Sequence, residues 1–264
     1  HIDYSSPHIQ DIIIKDNSGY RASAILIDNY SNPLIEDLDI YNNYVLDGSG
    51  EQGAVHITDS SVPTFNNVTI WNNAGGPGIS ICCTELTLSS LTVYGNELGA
   101  IYQAYDSNVS LVNSILWGNG PSEVVLSSTH NTSSIFISYT NIMGGMNGIE
   151  TNMGNYDWGD GNIDEDPLFV DAGYNFDLQL GSPSIDSGDP NSPLDPDGTI
   201  ADIGSHYYHQ LSPNIVGITE SGGIPGDTVS VSVYADLGED FDMNAFQVTI
   251  AGLGGGNISA VGVD

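Results

Sequence analysis

Two groups of oxygen-bearing side chains carry the clearest chemistry in this 264-residue chain. Asp157, Asp160, Asn162, Asp164, Glu165 and Asp166 fall within ten residues, and Asp186, Asp189, Asn191, Asp195, Asp197 and Asp202 within seventeen. Calcium takes roughly six to eight oxygen ligands and accepts alternating aspartates with a glycine at the sharp turn. DPDGTIAD, from Asp195 to Asp202, has that form, although neither group follows the full EF-hand spacing. Two readings stand. Either calcium orders these loops, with Asp157, Asp160, Asn162, Asp164, Asp166, Asp195, Asp197 and Asp202 as ligands, or they are solvated acidic loops held by Asx turns.

Aromatic rings offer a second chemistry. Tyr41, Trp71, Tyr94 and Trp117 each stand two residues before an asparagine, at Asn43, Asn73, Asn96 and Asn119. An exposed row of rings binds sugars or another protein chain, since a large apolar patch on a surface marks an interaction site. The alternative is that a loop, the long insertion after Asn43, folds over them and makes a satellite core.

Catalytic chemistry is harder to place, and no catalytic residue is assigned. Hydrolysis of a neutral glycan needs two carboxylates about 5 to 9.5 Å apart, and among 34 Asp plus Glu some pair meets that spacing by chance. Eliminative cleavage of an acidic polysaccharide needs cations, and Lys15 and Arg21 are the only Lys or Arg. Of six histidines only His206 and His209 have metal-like spacing, and their Tyr-rich surroundings favour packing. Adjacent Cys82 and Cys83 read as two small residues, at least one buried, rather than as a metal or redox site.

A repeat must position all of these. A thirteen-residue block recurs as SSPHIQDIIIKDN from Ser5, SNPLIEDLDIYNN from Ser31, SVPTFNNVTIWNN from Ser61, TELTLSSLTVYGN from Thr84 and SNVSLVNSILWGN from Ser107, with a weaker copy, SSIFISYTNIMGG, from Ser133. The starts lie 26, 30, 23, 23 and 26 residues apart, and insertions confined to the gaps between blocks signal a solenoid. Positions five, eight and ten are mostly apolar, as in Ile35, Leu38 and Ile40. Eight and ten share one face of a strand, but five and eight do not, so the chain must bend between them. The seventh position supplies the bend with Asp11, Asp37, Asn67, Ser90 and Asn113. Short apolar stretches before the blocks, Ala24 to Ile27, Ala54 to Ile57 and Gly99 to Tyr102, give each coil another strand.

The thirteenth position is an asparagine column, Asn17, Asn43, Asn73, Asn96 and Asn119. Asparagine tolerates the left-handed conformation, and stacked copies hydrogen-bond along the axis. The eleventh position, Lys15, Tyr41, Trp71, Tyr94, Trp117 and Met143, alternates away from the inward tenth, so the rings form an outward stripe at steps of ~4.8 Å.

On these blocks, residues 1 to about 145 resemble the right-handed parallel β-helix repeat proteins of secreted and surface polypeptides of environmental bacteria. The segment of about 138–209, with GNIDEDPLFVD and LQLGSPSIDSGDPNSPLDPDGTIADIG, resembles the end segment of such proteins, which closes the last coils. In 210–264, NIVGITES, DTVSVSVYAD and NAFQVTIAGL alternate with period two, with Val229, Val231 and Val233 facing one way. This part is similar to the opening strands of a cohesin-like or immunoglobulin-like sandwich, of which about half is present. The expected fold is therefore all-β: a parallel β-helix over 1–209, then a partial antiparallel β-sandwich-like segment over 210–264.

Net charge narrows the partners. Thirty-four acidic residues against 2 basic ones give −32, which excludes nucleic acid and anionic membrane surfaces. It also weighs against the acidic-polysaccharide lyases that the β-helix resemblance brings to mind. No apolar run reaches the ~20 residues of a membrane span. A start at His1, without Met or leader, reads as an internal piece of a longer precursor, and a half sandwich is either cut or completed by a neighbour's strand. The expected role is a non-catalytic extracellular or cell-surface structural or adhesive protein that self-associates or binds other surface proteins. The alternative is a carbohydrate-active enzyme or glycan-binding module for a neutral polysaccharide.

Overall fold

The computed structural model describes residues 1–127 and 133–210 and, for the backbone alone, 215–218 and 233–236. The chain divides into two units, His1–Gln210 and Leu211–Asp264. In the first, every coil pairs in parallel with the next. One seven-stranded sheet stacks Ile2–Asp3, Ile25–Asp28, Val55–Ile57, Ile79–Cys82, Ile101–Ala104, Val124–Ser127 and Ile149–Asn152. The blocks make the other two faces. A six-stranded sheet runs His8–Lys15, Leu34–Tyr41, Thr64–Trp71, Leu91–Tyr94, Ile115–Trp117 and Asn141–Ile142. Glu85–Ser89, Asn108–Val112, Ser134–Ser138 and Asn155–Trp158 form a four-stranded sheet.

The core lies inside the coils. Block positions five, eight and ten point inward together: Ile35, Leu38 and Ile40, then Phe65, Val68 and Ile70, then Leu88, Leu91 and Val93 are all fully buried. They share one cluster with Val55, Ile57, Ile79, Ile81 and Ile101 from the seven-stranded sheet. In the first coil the equivalent Ile12 is 42% exposed.

Left-handed residues turn the corners. The seventh position has φ near +50° in every block: Asp11 55°, Asp37 53°, Asn67 53°, Ser90 52°, Asn113 48° and Tyr139 46°. One residue with reversed φ changes the parity of the strand, so positions five and eight reach the same core. Asp, Asn and Ser suit this conformation because their short side chains bond locally. The second left-handed column is the twelfth position, at Asp16, Asn42, Asn72, Gly95, Gly118 and Gly144. The asparagine column itself does not adopt the left-handed conformation; its members turn inward one residue later.

Those asparagines form a ladder. Nδ2 of Asn17, Asn43, Asn73 and Asn96 donates to Oδ1 of the next rung at 3.1, 3.0, 2.9 and 2.9 Å. The same Oδ1 atoms accept the main-chain N–H of the rung before, so each amide satisfies two donors. The sixth block has Gly145 at this position, and buried Glu123 takes the place of the missing acceptor. Block position one adds a hydroxyl column at another corner, where Ser31 Oγ donates to Asp28 O and accepts from Ser5 N–H.

In the second unit, Ile215–Ile218 pairs antiparallel with Val233–Asp236, within two of the segments read as strands. Val229, Val231 and the NAFQVTIAGL stretch lie outside the described residues. Among the described residues no helix is long and apolar enough to cross a membrane.

Candidate functional site

The aromatic row stands where alternation places it, and it is covered. Lys15, Tyr41, Trp71, Tyr94 and Trp117 are in register on neighbouring parallel strands. Tyr41 and Trp71 stack with ring centroids 4.2 Å apart and 16° between planes. Lys15 Nζ lies 5.5 Å from the centre of the Tyr41 ring, while Arg21 pairs with Asp28 at 3.2 Å. Over these rings lies a hairpin, Phe169–Asp171 with Asn175–Leu178. Phe176 packs at 5.7 Å from Trp71 and 5.4 Å from Tyr94, and Phe169 at 6.0 Å from Tyr94. Together with Ile115, Leu178 and Ile203 they make a second apolar core outside the coils.

Free exposure of the whole stripe is therefore corrected, and so is the identity of its cover. Trp71 is only 8% exposed, and Tyr41, Tyr94 and Trp117 are half-buried. The insertion after Asn43 goes elsewhere: Tyr44–Val45 pairs with Ser18–Gly19, and Gly53 N–H donates to Ser80 Oγ. The segment of about 138–209 first supplies the last strands of the three sheets, Asn141–Ile142, Ile149–Asn152 and Asn155–Trp158, and its later part then crosses the outer face of the six-stranded sheet. Its attachment uses outward ninth-position residues. Ser205 bonds Thr69 Oγ1 and Thr92 Oγ1, and Asn141 Nδ2 donates to Glu165 O. Asn113, left-handed at its corner, accepts Asp189 N–H and donates to Ser192 Oγ.

Beside the cover lies a cleft of about 320 Å³, lined by Tyr94, Trp117, Asp166, Leu168, Phe169 and Gln179 with Ala172. It joins members of both sets singled out in the sequence, two rings of the stripe and one aspartate of the first acidic group. An apolar platform with a carboxylate and an amide at its rim can hold a hydroxylated ring by stacking and hydrogen bonding.

Several members of the two acidic groups, Asp166 among them, accept main-chain N–H groups. Asp164 accepts Gly144 N–H, Asp166 accepts Leu168 N–H, and Asn162 accepts Thr140 N–H while donating to Ile137 O and Gly159 O. Asp157 is exposed on the strand Asn155–Trp158, and Asp160 lies exposed in the turn that follows. In the second group Asp195 accepts Asp202 N–H, and Asp202 accepts Asp186 N–H and Tyr208 N–H. Burial, with Asp195 and Asp186 beside it, raises the Asp202 carboxyl to about 6 although those amides pull it down. Asp195 is raised by burial as well. At Asp197 burial is outweighed by bonds from Gln210 and Thr199, and its carboxyl is held low. His206, read as a packing residue, bonds Asp177 at 2.7 Å.

Among the described residues the one set of three His, Cys, Asp or Glu whose ligand atoms fall within 4.8 Å of one another is His1, Asp3 and Asp28. Neither acidic loop makes such a set.

A family model described as a right-handed β-helix region matches residues 2–135. The chain belongs to the right-handed β-helix family. No curated protein and no solved structure matches it. Within this β-helix, one polar array was not read from the sequence. His56 and Ser80 occupy the outward face of the seven-stranded sheet, both buried, and are hydrogen bonded through Nδ1 and Oγ. Burial first, then Arg21, pushes the His56 imidazole down to about 4, against the opposing pull of Asp59 and Asp28. The imidazole is thus neutral at pH 7, and it bonds a hydroxyl that also accepts Gly53 N–H. The available signal was parity: His56 stands between inward Val55 and Ile57 on a three-residue strand.

Proposed function

We propose that this β-helix is a non-catalytic extracellular structural or adhesive element that works at a cell surface or in a filamentous assembly. One observation carries the reading: the carboxylates after residue 150 accept main-chain amides that brace the covering segment, Asp195, Asp197 and Asp202 within it and Asp164 from Gly144 of the last block. Groups engaged in that way brace a rigid body, and the −32 charge keeps such a body soluble in salty surroundings. The test is a panel of neutral and acidic polysaccharides incubated with the full chain, scored for new reducing ends and unsaturated products. Absence of turnover is the expected result. Turnover abolished by a single Asp substitution overturns it.

A second reading, binding of a neutral glycan, is favoured by the cleft between Tyr94, Trp117, Asp166 and Gln179. Trp117 is the residue to change, because it is half-buried at the cleft whereas Trp71 belongs to the covered core. Loss of retention on neutral glycans in Trp117→Ala, with unchanged melting, supports this reading; unchanged retention removes it.

A further inference from the structure

The only two cysteines stand side by side where a strand of the seven-stranded sheet meets the next block. In the second, third and fifth coils this corner takes two left-handed residues, Asn29 and Tyr30, Asp59 and Ser60, Tyr105 and Asp106, while the first coil takes Tyr4 alone. In the fourth coil Cys83 makes the corner alone, with φ of 58°, and Thr84 opens the block directly. The tighter corner brings the Cys83 side chain to that of Cys82. The Cys82 thiol lies within reach of Cys83 and of Thr58 on the preceding coil. Cys83 is fixed from both sides: its N–H donates to Tyr105 O at 2.9 Å, and its carbonyl accepts Ser60 N–H at 3.0 Å. Both thiols are free and half-exposed.

We infer that Cys82 and Cys83 form a preorganised two-thiol site for a soft, thiophilic centre of the trivalent-arsenical type. Paired sulfur ligands on a fixed backbone suit a small, soft centre that takes two sulfurs at a narrow angle. Hard cations such as calcium and magnesium prefer oxygen. Burial, and then Cys83, pushes the Cys82 thiol up to about 12, which makes it a slow nucleophile by itself. Chelation does not need a free thiolate. With phenylarsine oxide as its hydrate, two As–O bonds are exchanged for two As–S bonds. Both thiol protons leave in two waters, and arsenic stays trivalent.

The experiment titrates the reduced full chain with phenylarsine oxide and follows loss of free thiol. One equivalent should consume both thiols, and the adduct should survive a monothiol wash but be released by a 1,2-dithiol. Two variants preserve the local backbone. Cys82→Ala copies Ala104, its register partner, and Cys83→Asn keeps a residue type suited to positive φ. Each should retain the probe about 100-fold less tightly, the gain that a second tethered ligand brings. Retention by either variant equal to that of the parent chain overturns the site. So does failure of the parent chain to bind while both thiols react with a disulfide reagent in the folded protein.

Discussion

Glu123 ends the asparagine ladder by taking both donors of Asn119, the main-chain N–H at 3.1 Å and Nδ2 at 2.7 Å. The geometry places a buried carboxylate where each earlier rung uses a neutral amide. Burial pushes its pKa from 4.5 to about 7, against the pull of Asn119 and Gly118. The group binds its proton more tightly in the folded state, so its contribution to stability is complete below pH 4.5 and is lost as pH rises through 7. A shift of that size corresponds to roughly 3 kcal/mol. Urea unfolding of the parent chain and of Glu123→Gln between pH 4.5 and 8 should diverge by about that amount. Asp202 titrates in the same direction, and subtracting the variant's profile removes its share. Parallel profiles would sink the assignment.

The middle of the ladder should cost more than its start. Asn73 donates to Ile40 O, Trp71 O and Asn96 Oδ1 and accepts from Asn43 N–H and Nδ2. Asn73→Ala strands several buried partners and should lower stability by about 3–5 kcal/mol. Asn17 is exposed at the first rung, so Asn17→Ala should cost less than about 1 kcal/mol. Equal losses in chemical denaturation would contradict the ladder's cooperative character.

Phe176 is the pin of the covering segment, 3% exposed between Trp71 and Tyr94. Phe176→Ala should weaken that attachment by about 3–4 kcal/mol. The loss is local, so limited proteolysis should cut between 167 and 208 while the coils before residue 127 stay protected. Uniform digestion along the chain would show that cover and coils unfold together.

Calcium, if it orders the second acidic group, has to relieve the mutual repulsion of Asp186, Asp195 and Asp202. Millimolar calcium should then raise the melting temperature and chelator lower it, with no such response in Asp195→Asn. A melting temperature indifferent to both additions counts against a structural ion.

Periodic features were legible in the sequence because each residue type answers a local demand. Asp37 and Asn67 mark a corner since few side chains accept positive φ, and Ile35, Leu38 and Ile40 mark a core through their odd spacing. The direction of Trp71 followed from the same alternation. Its burial did not, because the partners, Phe169 and Phe176, come from a stretch about a hundred residues later that has no period. Glu123 was equally silent: nothing in a lone Glu between loops tells that it finishes a column of amides. Conversely, the sequence left the aspartates after residue 150 open between a ligand set and a solvated loop, because composition records how many oxygens are present, not which main-chain N–H groups reach them.

The left-handed corners have a consequence for how this molecule changes size. Every block contributes one strand spacing, about 4.8 Å, whether 23 or 30 residues separate it from the next. The β-helix is thus measured in whole coils, and its reach is indifferent to the loops hung upon it. Duplication or loss of a block moves the distance between its two ends by a fixed increment and leaves the pairing rules at the new junction unchanged. A gene that copies or drops such a block has a ruler with fixed divisions, and loops can vary between the marks without altering the measurement.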